Sequence, residues 1–283
     1  VPKAPTRALN RRSSVIKYTA ILFAVIVSAT VVYIIFSDKV RSERDLSALL
    51  PGYERLSTFG CEKHRRTLRS RLRRGRSAKK AASESLLVSN PTTSFGYAET
   101  FRLLRTRVEY LLNKNGQKTL LIASVAEGEG KTITAANLAF MLSYAGNKVL
   151  LIDGNCDTNG NPGLSKLFDI TPKDEDCLCA RLETGNVSGL PSPEGAKHLR
   201  LLPNNDFSGD AADIIVSEKM NKLIRAAREQ YDFIIIDTPA LCRSGLAEYY
   251  AELSDCAVMV VRQGVASGRS IRDAVDTLSG STQ

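Results

Sequence analysis

Residues 118–132 read KTLLIASVAEGEGKT, and this stretch decides the fold. Its first part, 118–125, is a short apolar run of the kind that forms a buried strand. A turn with two glycines follows, and 132–145 has the pattern of a helix that stops at Gly146-Asn147. A strand, a glycine-containing turn and a helix opening on Lys-Thr are the parts of a phosphate-binding loop. Gly128 and Gly130 let backbone amides turn inward toward phosphate oxygens, and the helix adds the positive end of its dipole. Lys131 would reach the β- and γ-phosphates, and Thr132 would place its hydroxyl on Mg2+. The residues expected around a nucleotide are therefore Glu127, Gly128, Glu129, Gly130, Lys131, Thr132 and Ile133. The strict G-x4-G-K-S/T spacing fails at Val125, so a glycine-rich turn with an incidental lysine is the competing reading.

Working outward, two more apolar runs end in aspartate: LLID at 150–153 and IIID at 234–237. In an open parallel sheet, ligands sit beyond the carboxyl ends of the strands, so Asp153 and Asp237 are expected beside the loop. Mg2+ prefers hard oxygens and keeps several waters, so one or two carboxylates suffice to hold it. A strand-end aspartate can also do no more than cap a turn. Strands are expected at 148–153, 198–202, 231–237 and 256–262, and helices at 95–112, 217–230 and from 270 onward. Short apolar strands alternating with helices predict an α/β fold: a P-loop NTPase-type parallel sheet with helices on both faces.

The chain has 283 residues, with 39 basic and 30 acidic side chains. Residues 1–80 hold 19 basic and 5 acidic of these, a net of +14, which leaves 81–283 at −5. The basic character thus belongs to the N-terminal region, and the mildly acidic remainder argues against a nucleic-acid-binding domain. Six cysteines in so long a chain exclude a small disulfide-stapled module. Residues 18–36, YTAILFAVIVSATVVYIIF, carry no charge and would make a helix of about 28 Å, close to the hydrocarbon thickness of a bilayer. They read as a transmembrane helix that precedes the α/β domain. From 63 to 80 there are ten Lys or Arg and no acid, which suits a segment lying on anionic lipid as well as a solvated linker. The expected organisation is an extracytoplasmic Pro-containing lead-in at 1–17, the membrane span at 18–36, a basic juxtamembrane linker at 37–94 and a cytoplasmic P-loop domain at 95–283.

These residues resemble the bacterial tyrosine kinases of capsular and exopolysaccharide synthesis. SVAEGEGKT resembles their Walker A motif, KVLLID their Walker A′ strand and YDFIIIDTP their Walker B. Glu99, Arg102 and Arg105, spaced E-x-x-R-x-x-R, resemble the helix motif through which such proteins assemble into rings. The segment 201–220 and the membrane helix with the DKVRSERDL that follows it resemble the same family and the last span of its fused polysaccharide co-polymerase. The resemblance implies ATP with Mg2+, catalytic roles for Lys131, Asp153 and Asp237, and metal contacts from Thr132, Asp153 and Asp237. It implies a ring-type homo-oligomer and transfer of the γ-phosphoryl group to a tyrosine of a neighbouring subunit. The expected partners are the polysaccharide polymerase and export machinery and a cognate protein-tyrosine phosphatase. The expected location is the cell membrane, with the P-loop domain cytoplasmic. For Glu99, Arg102 and Arg105 an ordinary exposed salt-bridge stripe fits the spacing equally well.

The sequence departs from the family at Asn155, where a second aspartate is expected, and at its end, where a tyrosine cluster would stand. Asp157 is a candidate substitute for that aspartate. These departures motivate an alternative: a catalytically impaired, nucleotide-gated assembly module of the co-polymerase. A first residue of Val and a chain stopping at Gln283, about where another core strand would follow, are what a fragment would show. Ala126 stands where partition and septum-site ATPases carry a signature lysine. Tyr249-Tyr250 reads as helix packing, Cys156 as a reduced spectator thiol, Cys177 and Cys179 as a poor zinc pair, and His64 and His198 as residues without matching partners.

Overall fold

The computed structural model describes residues 6–36, 38–60, 86–155, 163–204 and 214–281. Helices α1 (Thr6–Phe36), α2 (Glu43–Leu49) and α3 (Phe95–Lys114) lead into a repeating unit. Strand β1 (Thr119–Ser124) is followed by α4 (Lys131–Tyr144) and β2 (Val149–Asp153), then by α5 (Leu164–Leu167) and α6 (Leu178–Thr184). After β3 (Leu199–Leu202) come α7 (Glu218–Gln230), β4 (Phe233–Asp237), α8 (Leu246–Glu252), β5 (Cys256–Val260) and α9 (Gly268–Ser281). The strands form one sheet in the order β3-β2-β4-β1-β5, with every pairing parallel. The expected α/β fold is thus found, and each expected strand and helix lies within a few residues of its predicted bounds.

The strands read as continuous apolar runs because both faces are covered. Leu120 and Ile122 of β1 face α3 and α4 in one core, together with Leu104, Val108, Leu138 and Leu142. Leu121 and Ala123 face the opposite core, which is closed by Leu178, Leu223, Ile224 and Tyr250. All six β1 residues are buried, and removing each of Leu120, Leu121 and Ile122 from water contributes about 1.5–3 kcal/mol. The end of α4 follows from its sequence. Gly146 takes φ +97, its N–H bonds the Ser143 carbonyl, and Asn147 N–H bonds the Leu142 carbonyl. Two such bonds around a left-handed glycine satisfy carbonyls that the helix leaves open.

The described parts of the expected linker are packed against the domain. Residues 38–41 run beside the end of the chain. Lys39 bridges Ser267, Gly264 N–H bonds the Val40 carbonyl at 2.9 Å, and Gln263 donates to the Arg41 carbonyl. Helix α2 is closed by a reciprocal cap between Ser42 and Asp45. Val40, Leu46, Leu49 and Leu50 join Ala266, Ile271 and Ala274 in a third apolar cluster. Further on, Phe59 stacks near Phe101 of α3 at a ring distance of 4.5 Å, and buried Asn137 of α4 grips the backbone of Leu86 and Val88. The apolar residues of 37–94 that dock are scattered among charged and small ones. The basic run 63–80 and His64 lie outside the described residues.

Helix α1 is longer than the expected span. Ser14–Val32 within it is apolar enough to cross a membrane, and none of it is buried against the protein. It is a candidate membrane span.

Candidate nucleotide site

Three strands deliver the site. β4 lies between β1 and β2, so the loop leaving β1 and the two strand-end aspartates meet at one edge of the sheet. Asp153 and Asp237 are register partners on neighbouring parallel strands. Paired residues of adjacent strands stand about 4.8 Å apart, close enough for their charges to oppose each other. The loop itself turns on Gly128 at φ +76 and Gly130 at φ +99, a region that side chains other than glycine rarely enter. Among the described residues, a Cβ at either glycine would meet no atom within 4 Å. Lys131 is the first residue of α4 and is almost fully buried, and its charge favours the ionised form of both aspartates.

The two carboxylates are buried alike but partnered differently. Asp153 accepts from Asn155 N–H at 3.3 Å and from Leu164 N–H at 3.0 Å. Burial, and then the charge of Asp237, push its carboxyl up to about 7. Asp237 is fully buried, and neither of its carboxylate oxygens has a hydrogen-bond partner among the described residues. Burial pushes it up to about 6, while Lys131 and the nearby Thr132 hydroxyl pull the other way. Thr132 is near enough to bias the charge of Asp237 but does not close a hydrogen bond of good geometry. A buried carboxylate with no donor is costly unless a cation meets it. Two adjacent oxygen donors and a threonine hydroxyl suit a hard divalent ion. Among the described residues there is no cluster of three or more His, Cys, Asp or Glu.

Backbone crowding fixes this edge. Gly154 N–H bonds the Asp237 carbonyl at 2.8 Å, and a Cβ on Gly154 would lie 2.8 Å from that oxygen and from the Tyr250 ring. A Cβ on Gly163 would collide with the Asp153 carboxylate. Tyr250 is fully buried and the Tyr249 hydroxyl donates to the Ser217 carbonyl, so the pair packs α8 as its sequence suggests.

Other expected site residues are placed less directly. Glu127 pairs with Arg243 at 3.0 Å on the surface, and Ile133 packs against the first core. The Glu129 side chain is buried and accepts from the backbone N–H groups of Ala126 and Arg262. Val125, where the strict motif has glycine, is buried in the third cluster beside Val40. Glu99 and Arg102 pair with each other at 2.9 Å on the exposed face of α3, while Arg105 turns to Glu109 at 3.6 Å. These three are therefore on one helix but do not form one network. Cys156 and Asp157 lie outside the described residues. Arg243 and Arg262, which face the loop from distant segments, carried no local motif to announce them.

Fold and site together define a P-loop nucleotide-binding domain of the α/β class. Residues 112–267 match the AAA domain family. The chain is 30% identical over 166 residues to tyrosine-protein kinase CpsD of Streptococcus agalactiae, covering 59% of this chain and 70% of that protein. It is 32% identical over 193 residues to the succinoglycan biosynthesis transport protein ExoP of Rhizobium meliloti, covering 66% of this chain. This chain spans only 24% of the length of ExoP. Among solved structures, the BceF tyrosine kinase domain superposes with a TM-score of 0.68 at 18% identity, covering 86% of this chain and 94% of that one. The chain belongs to the bacterial tyrosine kinases, built on a P-loop rather than on the eukaryotic kinase fold.

Proposed function

We propose that this chain is the ATP-dependent tyrosine autokinase module of a membrane-anchored protein that controls capsular or exopolysaccharide synthesis, chain length or export. The observation that carries this is the meeting of three elements at one sheet edge: the glycine loop with Lys131, Asp153, and an Asp237 carboxylate without a donor among the described residues. ATP is the nucleotide such a loop suits, and Mg2+ the ion. The ion would be held by Thr132 and Asp237, with Asp153 beside them, and would neutralise charge on the phosphates when bound. Lys131 contributes a buried positive charge against the β- and γ-phosphates. Phosphoryl transfer needs little covalent chemistry from the protein, so placement and electrostatics carry most of the acceleration. The γ-phosphoryl group would pass to the hydroxyl oxygen of a tyrosine on a neighbouring copy, the bond from the γ-phosphorus to the bridging oxygen breaking, ADP leaving and the phenolic proton passing to solvent. Asn155 offers a neutral amide where the family has a carboxylate, and the remaining two aspartates supply the negative charge.

The exposed Glu99–Arg102 pair and Arg105 are assigned to contacts between copies in a ring. Residues 63–80 are assigned to anionic lipid, with the P-loop domain on the cytoplasmic side. The polysaccharide polymerase and a protein-tyrosine phosphatase are the proposed partners. The test is incubation of the full chain with γ-labelled ATP and Mg2+, followed by phosphoamino-acid analysis. Label on tyrosine in the native chain and none in Lys131→Ala supports the proposal. Absence of phosphotyrosine from the native chain, at nucleotide concentrations shown to saturate it, rejects kinase activity.

A further inference from the structure

We infer that Glu129 and Arg262 form a brace behind the phosphate loop that holds it in its nucleotide-binding shape, making both of them positioning residues. This rests on the reading of the loop as a nucleotide site. Glu129 sits in the middle of a loop whose task is to attract phosphate. A carboxylate facing the cradle would repel a triphosphate. Instead its side chain is buried to within 6% of full burial and turned to the back of the loop. There one oxygen accepts from Ala126 N–H at 2.7 Å and the other from Arg262 N–H at 3.2 Å. Hydrogen bonds to an ionised acceptor are the stronger kind, and a carboxylate buried without them would be costly.

Arg262 completes the grip. It stands two residues past the end of β5, and its guanidinium donates to the Gly128 carbonyl at 3.0 Å. In a trans peptide the carbonyl and the next N–H point in opposite directions. Drawing the Gly128 carbonyl outward therefore turns the Glu129 N–H inward, toward the side where phosphate would sit. Gly128 at φ +76 is a residue free to occupy either hand of the backbone map, so its conformation needs holding from outside. The brace supplies that hold from β5, which is bonded along its length to β1, the strand that launches the loop. The amide cradle is then formed before a nucleotide arrives, and ordering it costs no binding energy.

The experiment uses the full chain in detergent. It measures equilibrium binding of Mg-ADP, and separately the melting temperature without nucleotide, for the native protein, Arg262→Ala, Arg262→Lys and Glu129→Gln. Arg262→Ala removes only an exposed donor and is expected to weaken Mg-ADP about threefold to tenfold with the melting temperature nearly unchanged. Arg262→Lys, which keeps a donor, should recover most of that loss. Glu129→Gln, whose amide can accept only one of the two N–H groups, should weaken binding about tenfold or more. A merely structural role would lower the melting temperature and leave the affinity of the folded protein alone. Unchanged affinity in Arg262→Ala and Glu129→Gln, with normal binding by the native chain, overturns the brace. If Glu129→Gln does not fold, Arg262→Ala decides alone by the same criterion. Failure of the native chain to bind Mg-ADP overturns the nucleotide reading and the brace with it.

Discussion

The two edges of the sheet use aspartate in opposite ways. At the edge where strands begin, Asp255 accepts from Lys118 N–H, Thr119 N–H and the Arg228 guanidinium, all within 2.9 Å. Arg228 also reaches Thr119, and Lys118 donates to the carbonyls of Arg228 and Tyr231. Asp255, Arg228 and Lys118 thus each have a partner inside the chain. At the edge where strands end, among the described residues, Asp237 is buried with no donor and Asp153 is held by two backbone N–H groups. The first arrangement closes the fold, and the second leaves a charge for something outside the chain to satisfy. Buried polar groups of the second kind are where a protein gives up stability in return for binding.

That contrast can be broken most severely at Lys131. Lys131→Ala should weaken Mg-nucleotide binding by about a hundredfold or more, measured by titration, because it removes the buried cation between two carboxylates and the phosphates. A fall of less than threefold would mean that the loop does not hold phosphate as described. The aspartates give the sharper comparison. Asp237→Asn should abolish tyrosine phosphorylation while leaving the nucleotide-free protein as stable as before or more so, since it removes an unpaired buried charge. Asp255→Asn should do the reverse, costing about 2–4 kcal/mol in denaturant unfolding with nucleotide affinity unaltered. If both variants behaved alike, the two edges would not differ in the way their hydrogen bonds indicate.

The pH dependence has a definite sign. Asp153 and Asp237 are both held above the ordinary aspartate range, at about 7 and about 6. Below pH ~3 both are protonated whether the chain is folded or not. As pH rises the unfolded chain releases these protons first, so the nucleotide-free protein should lose stability between pH ~4 and about 7. A divalent ion with nucleotide should flatten that slope, because it favours the charged forms; thermal melts with and without Mg-ADP check this. The smallest effect belongs to the surface of α3. Glu99→Ala breaks an exposed pair and should change stability by no more than about 0.5 kcal/mol. If sedimentation shows a change in oligomer mass with so little change in stability, the pair serves contact between copies.

The strands, the loop and both aspartates were legible because each is announced by adjacent residues: an apolar run, a glycine spacing, an aspartate at a strand's end. What was not legible depends on distance along the chain. Val125 looked like a failed motif until Val40 and Ile271 were found packed around it. The second role of Glu129, its carboxylate bond to Arg262 N–H, could not be read locally, because Arg262 lies 133 residues further on and has no motif of its own. Asp255 stands just before a strand, and nothing local distinguishes it from a turn residue. The partnering that separates it from Asp237 exists only once β1 and α7 are in place.

The seating of Val40 against Val125 bears on where this polypeptide can be cut. Trimming at Phe95, where the α/β pattern starts, would strip Val40, Leu46, Leu49 and Leu50 from the underside of the phosphate loop and leave greasy surface beside it. A water-soluble version of the domain should keep everything from Asp38 onward and discard only the apolar helix.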